Sequence, residues 1–127
     1  GSRVETLAQA ADAAAALRRR GPGVVLVTSL EPGPDRLAAL AATTEGVWAV
    51  ETPRLPIEAT GCGDAVAALF LAWLLKGRSV PEALAVTIAA IWGVVEATLH
   101  APNGELALVA AQDELAAPSR TLALRRL

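Results

Sequence analysis

Gly21-Pro22-Gly23-Val24-Val25-Leu26-Val27 is the stretch that decides the fold class. Proline supplies no backbone N–H and glycine accepts a reversed turn, so Gly-Pro-Gly ends any helix that reaches it. The aliphatic run Val24–Val27 that follows has no polar alternation, as a strand covered on both faces requires. Before the break, Val4, Leu7, Ala10, Ala11, Ala14 and Leu17 recur at helical spacing over Val4–Arg20. Arg18, Arg19 and Arg20 close that helix, where cations complement the negative end of its dipole. Helix, short loop, buried strand is the rhythm of an α/β fold. The pattern makes Val24–Val27 a parallel strand and sets Thr28-Ser29 at its carboxyl end, where open α/β sheets place ligands. Two adjacent hydroxyls there could hold phosphate oxygens, although capping a loop is the commoner task of such a pair.

Outward from this stretch, Glu31-Pro32-Gly33-Pro34 reads as a loop. Arg36–Thr43 and Gly46–Glu51 can pair as a hairpin across Thr44-Glu45-Gly46, with Val47, Trp48 and Val50 favouring strand. By propensity alone the alanine-rich first arm passes equally well as a helix. Thr52–Ala59, with Pro53 and Pro56, reads as irregular. Ala65–Leu75 is a helix ended by Lys76-Gly77, and Ser79 with Pro81 starts the next, which runs to about His100. A turn at Ala101–Gly104, a strand at Leu106–Ala110 and a helical segment at Gln112–Ala117 complete the expected order. Trp48, Trp73 and Trp92 are separated in sequence and read as core, and His100 as a solvated helix cap.

Composition narrows the function classes. The chain has 127 residues, 54% hydrophobic and 19% charged, the size of one domain. Eleven basic against 13 acidic residues leave a net charge of −2, which argues against a nucleic-acid partner. The longest uninterrupted apolar run, Ala65–Leu75, is too short to span a bilayer, so no membrane partner is expected. Cys62 is the single cysteine, which excludes an internal disulfide and fits a cytoplasmic location. No spacing of His, Cys, Asp or Glu resembles a metal site.

The chemistry concentrates in Thr60-Gly61-Cys62-Gly63-Asp64. Glycines on both sides of Cys62 let the backbone approach a ligand, and the unsatisfied N–H groups of the following helix start point at it. With the positive end of the dipole, the site suits an anion, above all a phosphate. The dipole also favours an ionised Asp64. A carboxylate beside an anion site makes sense as the base that takes a proton from a hydroxyl attacking phosphorus. A bare Gly-x-Gly-Asp is nevertheless more often a simple N-cap with a glycine turn. It is neither a P-loop nor a dinucleotide fingerprint, lacking the lysine of the one and the third glycine of the other. Cys62 beside a helix start could be a nucleophile, but the single histidine, His100, is far away in sequence.

Ala59–Asp64 with the apolar helix Ala65–Leu75 resembles the Gly-x-Gly-Asp anion-hole segment of the ribokinase-like (PfkB-type) small-molecule kinases. Glu105–Leu115 followed by Ala117-Pro118 resembles the C-terminal end of bacterial pyridoxal kinases. Gly23–Leu30 and Thr52–Pro56 fall in the order that family shows. The resemblance implies a three-layer α/β/α fold with a central, mostly parallel sheet flanked by helices. It implies transfer of the γ-phosphoryl group of ATP to the 5′-hydroxymethyl of pyridoxal, with Asp64 as catalytic base and the Gly61, Cys62 and Gly63 backbone as anion hole. Thr28 and Ser29 would contact the ATP phosphates and Leu55 would border the adenine. Mg²⁺, a monovalent cation such as K⁺, and a homo-oligomer are implied too, with no metal ligand supplied by this chain.

Two departures qualify the resemblance. Cys62 stands where the family usually has threonine, which keeps the backbone donors but loses a hydroxyl. The chain is also about half of what such a domain needs. Gly1-Ser2 reads as the scar of a cleaved tag, and residues 3–127 as the C-terminal, nucleotide-binding half with Leu127 its natural end. The expectation is that this half alone is inactive and self-associates. A hydroxymethylpyrimidine kinase of the same superfamily is the alternative enzyme; a non-catalytic scaffold or dimerisation fragment is the alternative outside enzymes. Related hydroxymethylpyrimidine kinases usually carry cysteine where Asp64 stands, so Asp64 favours pyridoxal.

Overall fold

A computed structural model describes residues 6–33, 35–53, 62–98 and 122–127; the side chains of Ser29, Cys62, Asp64 and Thr98 fall outside that description. The chain divides into two compact units, Gly1–Arg54 with Ala123–Leu127, and Leu55–Leu122.

In the first unit, helix α1 (Leu7–Arg18) packs on a four-stranded sheet of β1 (Val25–Gly33), β2 (Arg36–Thr43), β3 (Gly46–Pro53) and β4 (Leu124–Arg126), in the order β1-β2-β3-β4. The helix starts on a capping box: the Thr6 hydroxyl accepts from the Gln9 N–H at 3.1 Å and the Gln9 carboxamide oxygen from the Thr6 N–H at 3.2 Å. Ala10 and Ala14, both buried, let α1 lie close on the sheet, where Leu40, Ala42 and Ala49 meet them and Val25, Val27, Leu30 and Val47 flank the contact. Residues of both parities along Ala38–Ala42 are buried, so β2 is covered on both faces.

That sheet corrects the expected topology. Every pairing among the described strands is antiparallel, where the resemblance implies a mostly parallel sheet. Short connections explain it: β2 and β3 are joined across Thr44-Glu45, with Thr43 facing Gly46, too short for the crossover that parallel strands need. The ambiguous alanine-rich arm is a strand because pairing on both sides overrides its helical propensity. The segment expected to be buried on both faces, Val24–Val27, is only half-buried; among the described strands β1 has one neighbour and β2 has two. Nor do Glu31, Pro32 and Gly33 form a loop; they continue β1, and an edge strand tolerates the missing N–H of Pro32.

The second unit pairs helix α2 (Cys62–Leu75) with helix α3 (Val80–Thr98). Helix α2 begins at Cys62 rather than after Asp64, and it ends in a Schellman motif: the Arg78 N–H donates to the Trp73 carbonyl at 3.1 Å and the Gly77 N–H to Leu74 at 3.0 Å. Gly77, at φ +94°, supplies the left-handed residue this reversal needs. Ser79 caps α3 as expected, its hydroxyl accepting from the Glu82 N–H at 3.3 Å. Leu84, Ala90 and Val94 are fully buried. By length and composition alone, Val80–Ala97 is apolar enough to cross a membrane, at a mean hydropathy of 1.6, yet 44% of that window is buried inside the fold.

The expected strand at 106–110, the helical segment at 112–117, the turn at 101–104 and His100 lie outside the described residues.

Candidate functional site

Thr28 and Ser29 occupy a break in the β1–β2 ladder. Val27 faces Leu40 and Leu30 faces Ala38, so the pair Thr28-Ser29 stands against Ala39 alone. Two residues against one is a β-bulge, which leaves backbone groups out of the ladder and re-aims side chains. A second irregularity follows, since Glu31-Pro32 stands against Leu37 between the Leu30–Ala38 and Gly33–Arg36 pairs. The pair therefore lies inside an antiparallel edge strand, not at the carboxyl end of a parallel one. Thr28 is half-buried there.

Cys62, Gly63 and Asp64 form the first turn of α2. The N–H groups of a first helical turn have no partner four residues earlier in the helix. The backbone of this turn thus lies at the positive end of the dipole of a 14-residue helix, the kind of place that favours an anion. Gly61 and Leu55 lie outside the described residues. The sequence reading therefore divides into two local geometries, a bulge in the first unit and a helix start in the second.

Aromatic–cation contacts form elsewhere. Lys76 Nζ lies 5.1 Å and Arg78 Cζ 5.4 Å from the Trp73 ring centre, and Arg78 also bridges Glu82 at 3.3 Å. These side chains close the C-terminal end of α2, about 20 Å along the axis from Cys62 at 1.5 Å per residue. Among the described residues no group of three or more His, Cys, Asp or Glu could hold a metal ion.

The sequence reading missed the bulges. Their signal was the change from four aliphatic residues to Thr28-Ser29 and then Glu31-Pro32 within one strand, where proline disturbs the ladder.

Comparison with known proteins places the chain in a family. The model of the pfkB family carbohydrate kinases matches residues 1–92. A pyridoxal kinase of Rubrobacter xylanophilus is 48% identical over 131 residues, covering 100% of this chain and 45% of that protein. One of Burkholderia orbicola is 45% identical over 124 residues, covering 94% of this chain and 43% of the relative. The chain thus spans somewhat under half the length of these curated relatives. The crystal structure of the Leishmania donovani pyridoxal kinase with ADP and pyridoxamine superposes with a TM-score of 0.87 at 23% identity, over 98% of this chain and 46% of that one. At that identity the likeness shows the fold, which is ribokinase-like α/β. With the family model matched over most of its length, the chain belongs to the pfkB family of carbohydrate kinases.

Proposed function

We propose that this chain is the nucleotide-binding part of a pyridoxal kinase, a cytoplasmic phosphotransferase that moves the γ-phosphoryl group of ATP to the 5′-hydroxymethyl of pyridoxal. The observation that carries the reading is the helix start at Cys62–Asp64 in a chain 48% identical to a pyridoxal kinase. The Gly61, Cys62 and Gly63 N–H groups hold the oxygens of the transferred group and stabilise the charge developing on them. Asp64 takes the proton of the acceptor hydroxyl as it attacks phosphorus. Thr28 and Ser29, in a stretch whose backbone is already out of the ladder, offer hydroxyls and N–H groups to the ATP phosphates. Leu55 borders the adenine. The acceptor, Mg²⁺ and K⁺ are bound by residues of a longer polypeptide, and this chain alone is inactive. The full protein is a homo-oligomer.

Calorimetric titration of the 127-residue chain with ADP and with ATP in Mg²⁺ tests the nucleotide half of this reading. Saturable binding weakened by Gly63→Val is expected, since the side chain would obstruct the backbone donors. In a longer polypeptide containing this chain, Asp64→Asn is expected to lower kcat about 10²–10⁴-fold with ADP affinity retained, the range for loss of a general base. Equal turnover in that variant would remove Asp64 from the chemistry. Hydroxymethylpyrimidine turned over faster than pyridoxal would move the assignment to the alternative kinase.

A further inference from the structure

The C-terminal strand is attached to the sheet unlike the others. Leu124, Arg125 and Arg126 are all exposed, so β4 buries little apolar surface on β3. Besides its ladder with Trp48, Ala49 and Val50, its polar side-chain contacts lie at the far end. The Leu127 N–H donates to the Val47 carbonyl at 2.8 Å, and Arg126 Nη2 to the Glu45 carbonyl at 2.6 Å. The Arg126 guanidinium also lies 5.6 Å from the centre of the Trp48 ring and packs on Gly46. By contrast Ala38–Ala42 of β2 are buried and paired on both sides. Free energies of local opening run from near zero for segments with few buried apolar contacts up to the global value for core strands.

We infer that Leu124–Leu127 is a detachable strap, pinned by Arg126, that opens without unfolding of the rest of the first unit. Opening bares the edge of β3 from Val47 to Val50, and one arginine sets the closed population.

Hydrogen–deuterium exchange of the intact chain, read by mass spectrometry on peptides covering residues 36–43, 45–50 and 122–127, tests this. Under native conditions the 122–127 amides should exchange at least about ten-fold faster than those of 36–43, as for sub-global opening. Arg126→Ala should speed exchange at 122–127 and 45–50 by about ten-fold, with 36–43 unchanged within about two-fold. Arg126→Lys, which keeps the charge but not the planar fork, should restore less than half of that loss. Exchange at 122–127 as slow as at 36–43, or an Arg126→Ala effect spread evenly over all three peptides, would overturn the inference, because the strap would then open only with the whole unit.

Discussion

Gly46→Ala, read alone and together with Arg126→Ala, tests how the hairpin turn is built. Gly46 begins β3 at φ +153°, a conformation side-chain-bearing residues rarely adopt. An alanine Cβ there would lie 3.0 Å from both Nε and Nη2 of Arg126 and 3.4 Å from its Cζ. Backbone strain of this kind costs about 1–3 kcal/mol. The guanidinium ends a flexible side chain and can move aside, but only by giving up its 2.6 Å bond to the Glu45 carbonyl. A hydrogen bond to a charged group contributes about 1.5 kcal/mol at the low end of its range, the right end for an exposed arginine. Loss of the contact with the Trp48 ring adds about 0.5 kcal/mol. Gly46→Ala should therefore destabilise the first unit by about 3 kcal/mol in the natural background and by about 1 kcal/mol when Arg126 is already alanine. Urea unfolding of the four proteins of this cycle measures the coupling, expected at about 2 kcal/mol with the double variant more stable than additivity allows. Additivity within about 0.5 kcal/mol would refute the reasoning, since it would mean that Arg126 does not occupy the space above Gly46.

Two further outcomes concern the helices. Ser79→Ala should destabilise the second unit by about 1 kcal/mol in thermal or urea unfolding, and Ser79→Asp should restore it, because the hydroxyl is an acceptor for the Glu82 N–H. Thr87 is fully buried in α3 and its hydroxyl has no hydrogen-bond partner among the described residues, so Thr87→Val should be neutral or stabilise by about 1 kcal/mol, read as an unchanged or higher urea midpoint.

Local signals in the sequence translated into structure where one residue type had one physical task. Gly77 ended α2, Ser79 began α3, and the breaker Gly21-Pro22-Gly23 separated α1 from β1. What failed was any inference that depended on a residue's neighbours in the sheet. Val24–Val27 and Ala38–Ala42 are both uncharged and apolar, yet the first is half-buried, in a strand with one described neighbour, and the second buried, in a strand with two. The capping box of Thr6 and Gln9 was readable but passed over, because the helical spacing continued upstream to Val4. Strand β4 left no readable trace, since Leu124-Arg125-Arg126 has no hydrophobic pattern and is held by Arg126 contacts around Glu45 and Trp48, far away in sequence.

The antiparallel sheet also changes the argument for Thr28 and Ser29. In a parallel sheet all strands end on one side, and a ligand crevice at that side follows from topology. Neighbouring strands that run in opposite directions share no such side, so a position along β1 says nothing by itself about a ligand. The bulge supplies what topology no longer does. A regular ladder would direct the N–H and C=O groups of Thr28 and Ser29 alternately into β2 and away from it. Two residues set against Ala39 interrupt that alternation. The apolar residues on either side, Val27 and Leu30, stay paired with β2, at Leu40 and Ala38, and pack against the cluster that holds Ala10 and Ala14 of α1. A polar pair is thereby carried within an aliphatic strand without sacrificing the core beneath it. At Cys62–Asp64 a helix begins, and the apolar remainder of α2 packs on α3. In each unit the candidate residues lie where regular structure is interrupted or begins.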